Sequence, residues 1–415
     1  MSITVEKLSN GLTVALEPIS GMATASLSFA IPAGTAGDPD GAAGEGESTL
    51  LSELIVRGSG SRDSRAFSDA LDMLGCDRST TVNANHVLIS ATMLASRLNA
   101  SLELIADMAL RPRIDQEHLE PVRQLSLQAL HALPDDPQHL VMLRLAKLHF
   151  PPPFNRTGYG DETGLNSLTT EYLRSVWKRR AVAQGSILSI AGAVDPTATL
   201  AKVRELFGSW AGTNMEAKIT SPRAGGVDHY SLESSQTHMA FAFDAPNESD
   251  PDSFGFRIAA VILGGEASSR LFTEVREKRG LCYSVGASAS TGRDRGVLQI
   301  YAGSTPQRAT TTAQCILDEL ARFETGVNQI EFDRAKIGFK SRMVMQGESA
   351  MARASNITSD MYRIGKARTL TELTTILDGW TLERVNDVIK RRMSAAWRST
   401  MSRATVGPDT AAAEV

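Results

Sequence analysis

Cysteine is scarce in this chain of 415 residues: there are only Cys76, Cys282 and Cys315, and no two stand at a metal-binding or redox spacing. That excludes a disulfide scaffold and a thiolate metal centre, and it fits three small buried hydrophobes in a reducing compartment. No run of about 18 apolar residues occurs, so no membrane-spanning helix is expected. Positive charge is not in excess. Lys and Arg number 43 against 47 Asp and Glu, a formal net charge of −4, and no basic stripe gathers, which argues against nucleic acid as a main partner. The opening Met1-Ser2-Ile3-Thr4-Val5-Glu6-Lys7 has neither the apolar core of a signal peptide nor an Arg-rich transit segment, and a cytoplasmic protein is expected. No Gly-x-Ser-x-Gly elbow appears, and Gly365-Lys366 is followed by Ala367 with no upstream phosphate-loop glycine, so those two chemistries have no basis here.

What is present reads as an ordinary globular chain, 42% hydrophobic and 22% charged, and too long for a single compact core. Residues 3–17 alternate around Asn10-Gly11, a hairpin signal. Strand patterns follow at 25–31, 85–94 and 186–194, among helical patterns at 48–57, 64–74, 98–110, 115–133, 140–149, 169–180 and 196–207. Thr169 suits an N-cap and Pro196 a first helical position. After a polar, turn-rich stretch the order repeats. Strands are expected at 238–243, 283–290 and 296–303, and helices at 252–263, 268–279, 307–323, 328–348, 350–364 and 381–395, with a tail that frays from Pro408. The division is 1–213, a linker at 214–228, and 229–415. Strand runs followed by paired helices, twice over, predict an α+β fold of two domains with similar architecture.

Two segments carry chemistry. In the second half, Ser268-Ser269-Arg270-Leu271-Phe272-Thr273-Glu274 runs into Val275-Arg276-Glu277-Lys278-Arg279-Gly280-Leu281-Cys282-Tyr283. A guanidinium and a phenol at this spacing span a helix end and the next strand, where both can face one cleft and donate hydrogen bonds to a peptide carbonyl or an oxyanion. Read alone, Arg276 better suits a surface ion pair with Glu274 or Glu277, and Tyr283 a core tyrosine. In the first half, Gly46-Glu47-Ser48-Thr49-Leu50-Leu51-Ser52-Glu53-Leu54-Ile55 is a helix whose apolar residues recur at helical spacing.

Together these segments resemble the pitrilysin (insulinase-type) metallopeptidases, and the resemblance covers nearly the whole chain, most specifically Leu263–Tyr283. It implies two homologous domains, each a mostly antiparallel sheet covered by helices. It also implies an inverted zinc motif, His-x-x-Glu-His, whose two imidazoles at i and i+4 hold the metal while the Glu serves as general base. This chain departs from that motif. Thr49 and Glu53 stand at the two His positions and Ser52 at the general base. On the helix around 122–130, Ala129 stands at the third-ligand position and Val122 at the supporting acidic one. One carboxylate does not hold zinc, and a serine has no useful basicity near neutral pH. No zinc, and no other cofactor, is expected in this chain.

Some bacterial and organellar members of the family are two-chain enzymes in which one chain carries zinc and the other an Arg/Tyr pair. The resemblance to the second kind implies a non-catalytic subunit of a zinc endopeptidase. Its partners would be a zinc-bearing sister chain and a peptide substrate, with Arg276 and Tyr283 contributed to the partner's site. The alternative is a purely structural subunit with no part in proteolysis, like the core proteins of respiratory complexes. A third possibility, a rebuilt autonomous site, would draw on Glu45, Glu47, Glu53 and His86. Glu45 and Glu47 read better as a solvated loop, and His86 as capping a strand on a sheet surface. His131 points elsewhere on its helix from Ala129, His238 reads as structural, and the loop 264–269 opens a helix that could line a peptide channel.

Overall fold

The computed structural model describes residues 2–39 and 44–408, so the expected frayed tail from residue 409 onward lies outside the described residues. Strands β1 (Thr4–Lys7), β2 (Thr13–Pro18), β3 (Thr24–Ile31), β4 (Asp77–Val82), β5 (Val87–Leu94) and β6 (Ile187–Gly192) form one sheet, in the order β1-β2-β6-β3-β5-β4. Strands β7 (Gly226–Ser231), β8 (Thr237–Ala245), β9 (Ser284–Thr291), β10 (Gly296–Ser304) and β11 (Ser402–Gly407) form a second, in the order β7-β11-β8-β10-β9. Each sheet is antiparallel but for one pair, β2 with β6 and β7 with β11. The fold is therefore the expected α+β arrangement of two mostly antiparallel sheets with helices.

Local chemistry accounts for several elements. The turn between β1 and β2 places Gly11 at φ +94°, a conformation that suits glycine. Asn10 fixes that turn by donating from Nδ2 to the carbonyls of Phe207 (2.7 Å) and Trp210 (2.9 Å). In β5, Val87, Ile89, Ala91 and Met93 are buried and alternate with less buried residues, the period of a half-covered strand. Thr169 caps its helix as expected, its hydroxyl accepting from the Tyr172 backbone N–H at 3.3 Å.

The chain makes two compact units that are not sequential. The first joins the chain up to His131 with Pro152–Thr220 and Gln346–Thr369; the second joins Ala132–Pro151, Ser221–Met345 and the chain from Leu370. Each unit thus takes one helix from the other half of the sequence. Pro137–His149 packs on the second sheet, where Leu140, Val141 and Leu145 meet Ala240, Ala242, Ala404 and Val406. Ala350–Ile364 packs on β3 and β6 of the first sheet. There the strand residues turned away from the main core are small (Ser26, Ser28, Ala30, Ser189 and Ala191), so the helix can lie close, and Thr358 Oγ1 donates to the Ser28 carbonyl at 3.2 Å.

The helix expected at 268–279 is wound differently from an α-helix. Phe272–Glu277 is π-helical, with Lys278 N–H bonded to the Thr273 carbonyl at 3.0 Å, and Val261–Gly265 is a second π segment just before it. No described helix is long and apolar enough to cross a membrane.

Candidate functional site

In the first unit, the helix Glu47–Leu54 buries Leu50, Leu51 and Leu54, as its apolar periodicity requires, and packs against the helix Gln116–His131. These two helices carry the five positions singled out from sequence. Thr49 donates its hydroxyl to the Gly158 carbonyl (2.9 Å), and Ser52 donates its own to the Thr49 carbonyl (2.8 Å). Glu53 is exposed, Val122 is wholly buried in the core and Ala129 is exposed. Zinc needs three or four N, S or O ligands converging at about 2.0–2.3 Å. Here one carboxylate faces solvent and both hydroxyls already serve main-chain carbonyls, so the residues do not fit the metal. Among the described residues no group of three or more His, Cys, Asp or Glu is placed to hold a metal ion.

The polar groups around this helix serve a structural end. Arg180 Nη1 donates to Asp38 Oδ1 (2.9 Å) and Glu47 Oε2 (3.2 Å), its Nη2 reaches the Gly34 carbonyl and Ser48 Oγ (3.1 Å), and Tyr172 donates its phenol to Glu47 Oε1 at 2.6 Å. Glu47 is only 1% exposed, which corrects the expectation of a solvated loop residue. It opens a helix, where a carboxylate suits the positive end of the dipole, and Arg180 neutralises it from far along the chain. Glu45, half-buried, lies 3.6 Å from Arg156. His86 also departs from expectation. It is buried rather than on a sheet surface, because Tyr362 of the helix Ala350–Ile364 packs edge-on against its ring, with centroids 4.6 Å apart. His238 is mostly buried, with Nδ1 2.8 Å from the Tyr301 hydroxyl, and burial pushes its pKa down.

In the second unit, the structure brings Arg276 and Tyr283 together. The Arg276 guanidinium lies 4.6 Å from the Phe272 ring centroid and 5.8 Å from that of Tyr283. The nearby acid is otherwise engaged: Glu274 takes Lys278 and Arg279, the latter at 2.9 Å, and their bonds hold its carboxyl below the usual range. Among the described residues no carboxylate pairs with Arg276. Tyr283 is no core residue, being 77% exposed, while its backbone N–H is anchored to the Gly303 carbonyl at 2.9 Å. Between them, burial pushes the Cys282 thiol up to about 11, with the Arg276 charge opposing. The exposed Arg276 guanidinium over the Phe272 ring, with the exposed Tyr283 phenol near it, places two groups able to donate hydrogen bonds at the surface. Phe272 was not singled out from sequence, although it stands four residues before Arg276, the spacing that places two side chains on one helix face. Two π segments in twenty residues are themselves a mark of functional sites.

Residues 13–151 match the sequence model described as insulinase (peptidase family M16), and residues 167–339 match the one described as peptidase M16 inactive domain. The chain is 27% identical over 411 residues to an uncharacterized zinc protease of Mycobacterium tuberculosis, covering 97% of this chain and 92% of that protein. It is 24% identical over 387 residues to one of Bacillus subtilis, covering 92% and 93%. Among solved structures, a peptidase M16 inactive domain from Pseudomonas fluorescens superposes with a TM-score of 0.84 at 20% identity, over 99% of this chain and 98% of that one. A protease from Helicobacter pylori superposes with a TM-score of 0.87 at 16% identity, over 98% and 100%.

Proposed function

Because this chain belongs to the M16 (insulinase) peptidase family yet lacks a zinc donor set at the family's metal positions, we propose that it is a non-catalytic subunit of a two-chain zinc endopeptidase. The observation that carries the reading is the contrast between the two units. One has Thr49, Ser52, Glu53, Val122 and Ala129 where a metal site would be; the other keeps Arg276 and Tyr283 side by side and exposed, with no carboxylate pairing Arg276 among the described residues. A chain that had drifted into a purely structural role has no need to hold an exposed arginine over the Phe272 ring beside an exposed tyrosine.

In this proposal zinc and the general base belong to a sister chain, in the cytoplasm. Arg276 and Tyr283 donate hydrogen bonds to the carbonyl oxygen of a bound peptide and to the oxyanion it becomes. The packing of the Arg276 guanidinium over Phe272 limits the reorganisation needed when the oxyanion forms. Removing one such preorganised donor costs on the order of 3 kcal/mol, about a hundredfold in kcat.

The test is reconstitution of the purified chain with a zinc-bearing M16 chain from the same cell and a quenched fluorescent peptide. Turnover should require both chains, and Arg276→Ala or Tyr283→Phe should lower kcat about a hundredfold with the assembly intact. Full turnover with both variants would refute the assignment.

A further inference from the structure

The helix Gln329–Gly347 carries apolar residues on two opposite faces. On one face Phe332 and Ala335 are buried, and Phe339 and Met343 pack with them against the core of the second unit. On the other, Ile330, Ile337 and Met345 are 70%, 67% and 64% exposed, and Val344 is 39% exposed. At 3.6 residues per turn, Ile330, Ile337, Ser341 and Val344 fall within about 60° around the axis, with Met345 beside them, so they make one stripe. A helix apolar on both faces suits a place between two layers, and this one has a layer on one side. A contiguous exposed stripe of large apolar side chains marks an interaction surface.

The stripe is symmetric along its length. Ile337 stands seven residues after Ile330 and seven before Val344. Laid antiparallel on a second copy, about a two-fold axis through Ile337, it sets Ile337 on Ile337 and Ile330 on Val344 in both directions, as an isologous interface requires. The charges follow the same symmetry. Asp333 lies four residues before Ile337 and Lys340 three after it, on one flank of the stripe, so Asp333 of each copy comes level with Lys340 of the other. On the opposite flank Arg334 comes level with the neutral Ser341. Neither Asp333 nor Lys340 is committed to the interior: Asp333 accepts from Gln329 Nε2 at 2.8 Å on its own helix, and Lys340 pairs at 2.7 Å with Asp378, itself about half exposed. Surface pairs of this kind are weak and exchange readily. A stripe of one charge sign would call for a partner of the other sign; a stripe with one of each, placed evenly about its centre, complements itself.

We propose that this face is a two-fold interface with a second copy of the chain, formed by two antiparallel Gln329–Gly347 helices centred on Ile337. From Ile330 to Met345 the stripe is about 22 Å long. One helix pair of that length buries less than the ~800 Å² per partner of a standard interface, so the dissociation constant is expected at about 1–100 μM. The proposal does not rest on the peptidase reading above, since the face belongs to a different element from Arg276 and Tyr283.

Sedimentation equilibrium of the full chain tests it, over roughly 1–200 μM. The mass should rise from 44.6 kDa toward twice that value. Ile337→Glu, which sets two carboxylates face to face on the axis, should weaken association at least about tenfold. Asp333→Lys should weaken it about threefold to tenfold, and adding Lys340→Asp should restore it. The native cysteines are buried, so introduced ones report direction: oxidation should link Ile330→Cys to Val344→Cys in a mixture, and should not link Ile330→Cys to itself. Should Ile337→Glu fail to fold, the charge exchange carries the test. A monomer at every concentration, a dimer that Ile337→Glu leaves as tight, or a double exchange that recovers nothing would overturn the proposal. So would a chain that stays monomeric but binds a zinc-bearing M16 chain and loses that binding with Ile337→Glu, which would assign the face to the sister chain.

Discussion

Replacing Arg353 with methionine isolates what the exchanged helix contributes to the first unit. Arg353 lies on the helix Ala350–Ile364 and forks onto Glu17 near the end of β2, Nε to Oε2 at 2.7 Å and Nη2 to Oε1 at 3.0 Å, with a further bond from Nη2 to the Arg368 carbonyl at 3.1 Å. The two side chains are 3% and 6% exposed. Methionine keeps much of the aliphatic volume and removes every donor, leaving Glu17 a buried carboxylate without its cation. Breaking a buried pair in this way costs about 3–5 kcal/mol. Replacing both partners, Glu17→Met with Arg353→Met, removes the desolvation cost as well, and the double variant should lie within about 1 kcal/mol of the native chain or above it. Urea unfolding reads the difference. At a slope of about 2 kcal/mol/M the single variant's midpoint should fall by roughly 1.5–2.5 M. Two compact units can unfold separately, so the transition must be assigned. Trp177 and Trp210 report the first unit, and Trp380 and Trp397 the second. A single variant that loses less than about 1 kcal/mol, or a double variant that loses as much as the single, would refute the view that this ion pair clamps the exchanged helix.

Two further outcomes follow from the same structure. His149, 4% exposed and 3.1 Å from Ser402 Oγ, has its pKa pushed down to about 4 by burial, with the Arg223 charge adding to the effect. The native imidazole is thus neutral while the unfolded one takes up a proton near pH 6.5. Stability of the second unit should therefore be full above that pH, fall as pH drops from about 6.5 to 4, and be lower by about 3 kcal/mol below it. His149→Gln should flatten that part of the profile, and an unchanged slope would discount the residue. The metal positions can be tested by restoration: Thr49→His, Ser52→Glu, Glu53→His and Ala129→Glu together should give about one zinc per chain by elemental analysis, and the native chain should give none. A folded quadruple variant without zinc would mean that these two helices no longer hold the family's metal geometry.

The parts of this molecule legible in its sequence are those determined within one helical turn or one strand pair. The period of β5 and the Thr169 cap express local pattern, and so does the approach of Arg276 to Tyr283, joined by a helix end and a short turn. The Asn10-Gly11 turn is legible from its residue types, although Asn10 is also held by Phe207 and Trp210. What escaped depends on partners far along the chain. Glu47 looked solvated because nothing near it forecasts Arg180, 133 residues away. His86 looked exposed because the helix that covers it comes from the other half of the sequence. Strand β11 went unread because six residues, with a buried Arg403 among them, carry too little apolar pattern to announce a central strand. The exchanged helices show the limit most sharply. Leu140, Val141 and Leu145 declare that one face of their helix must be buried, and no property of that face says which sheet it will bury against. The sheets decide it: alanines at 240, 242 and 404, and small residues at 26, 28, 30, 189 and 191, make two shallow faces, each fitted to a helix that arrives from elsewhere. A division of this chain by linear pattern therefore recovers most strands of each half but not β4, β7 or β11, while the folded unit is defined by small residues on a sheet face awaiting a distant partner.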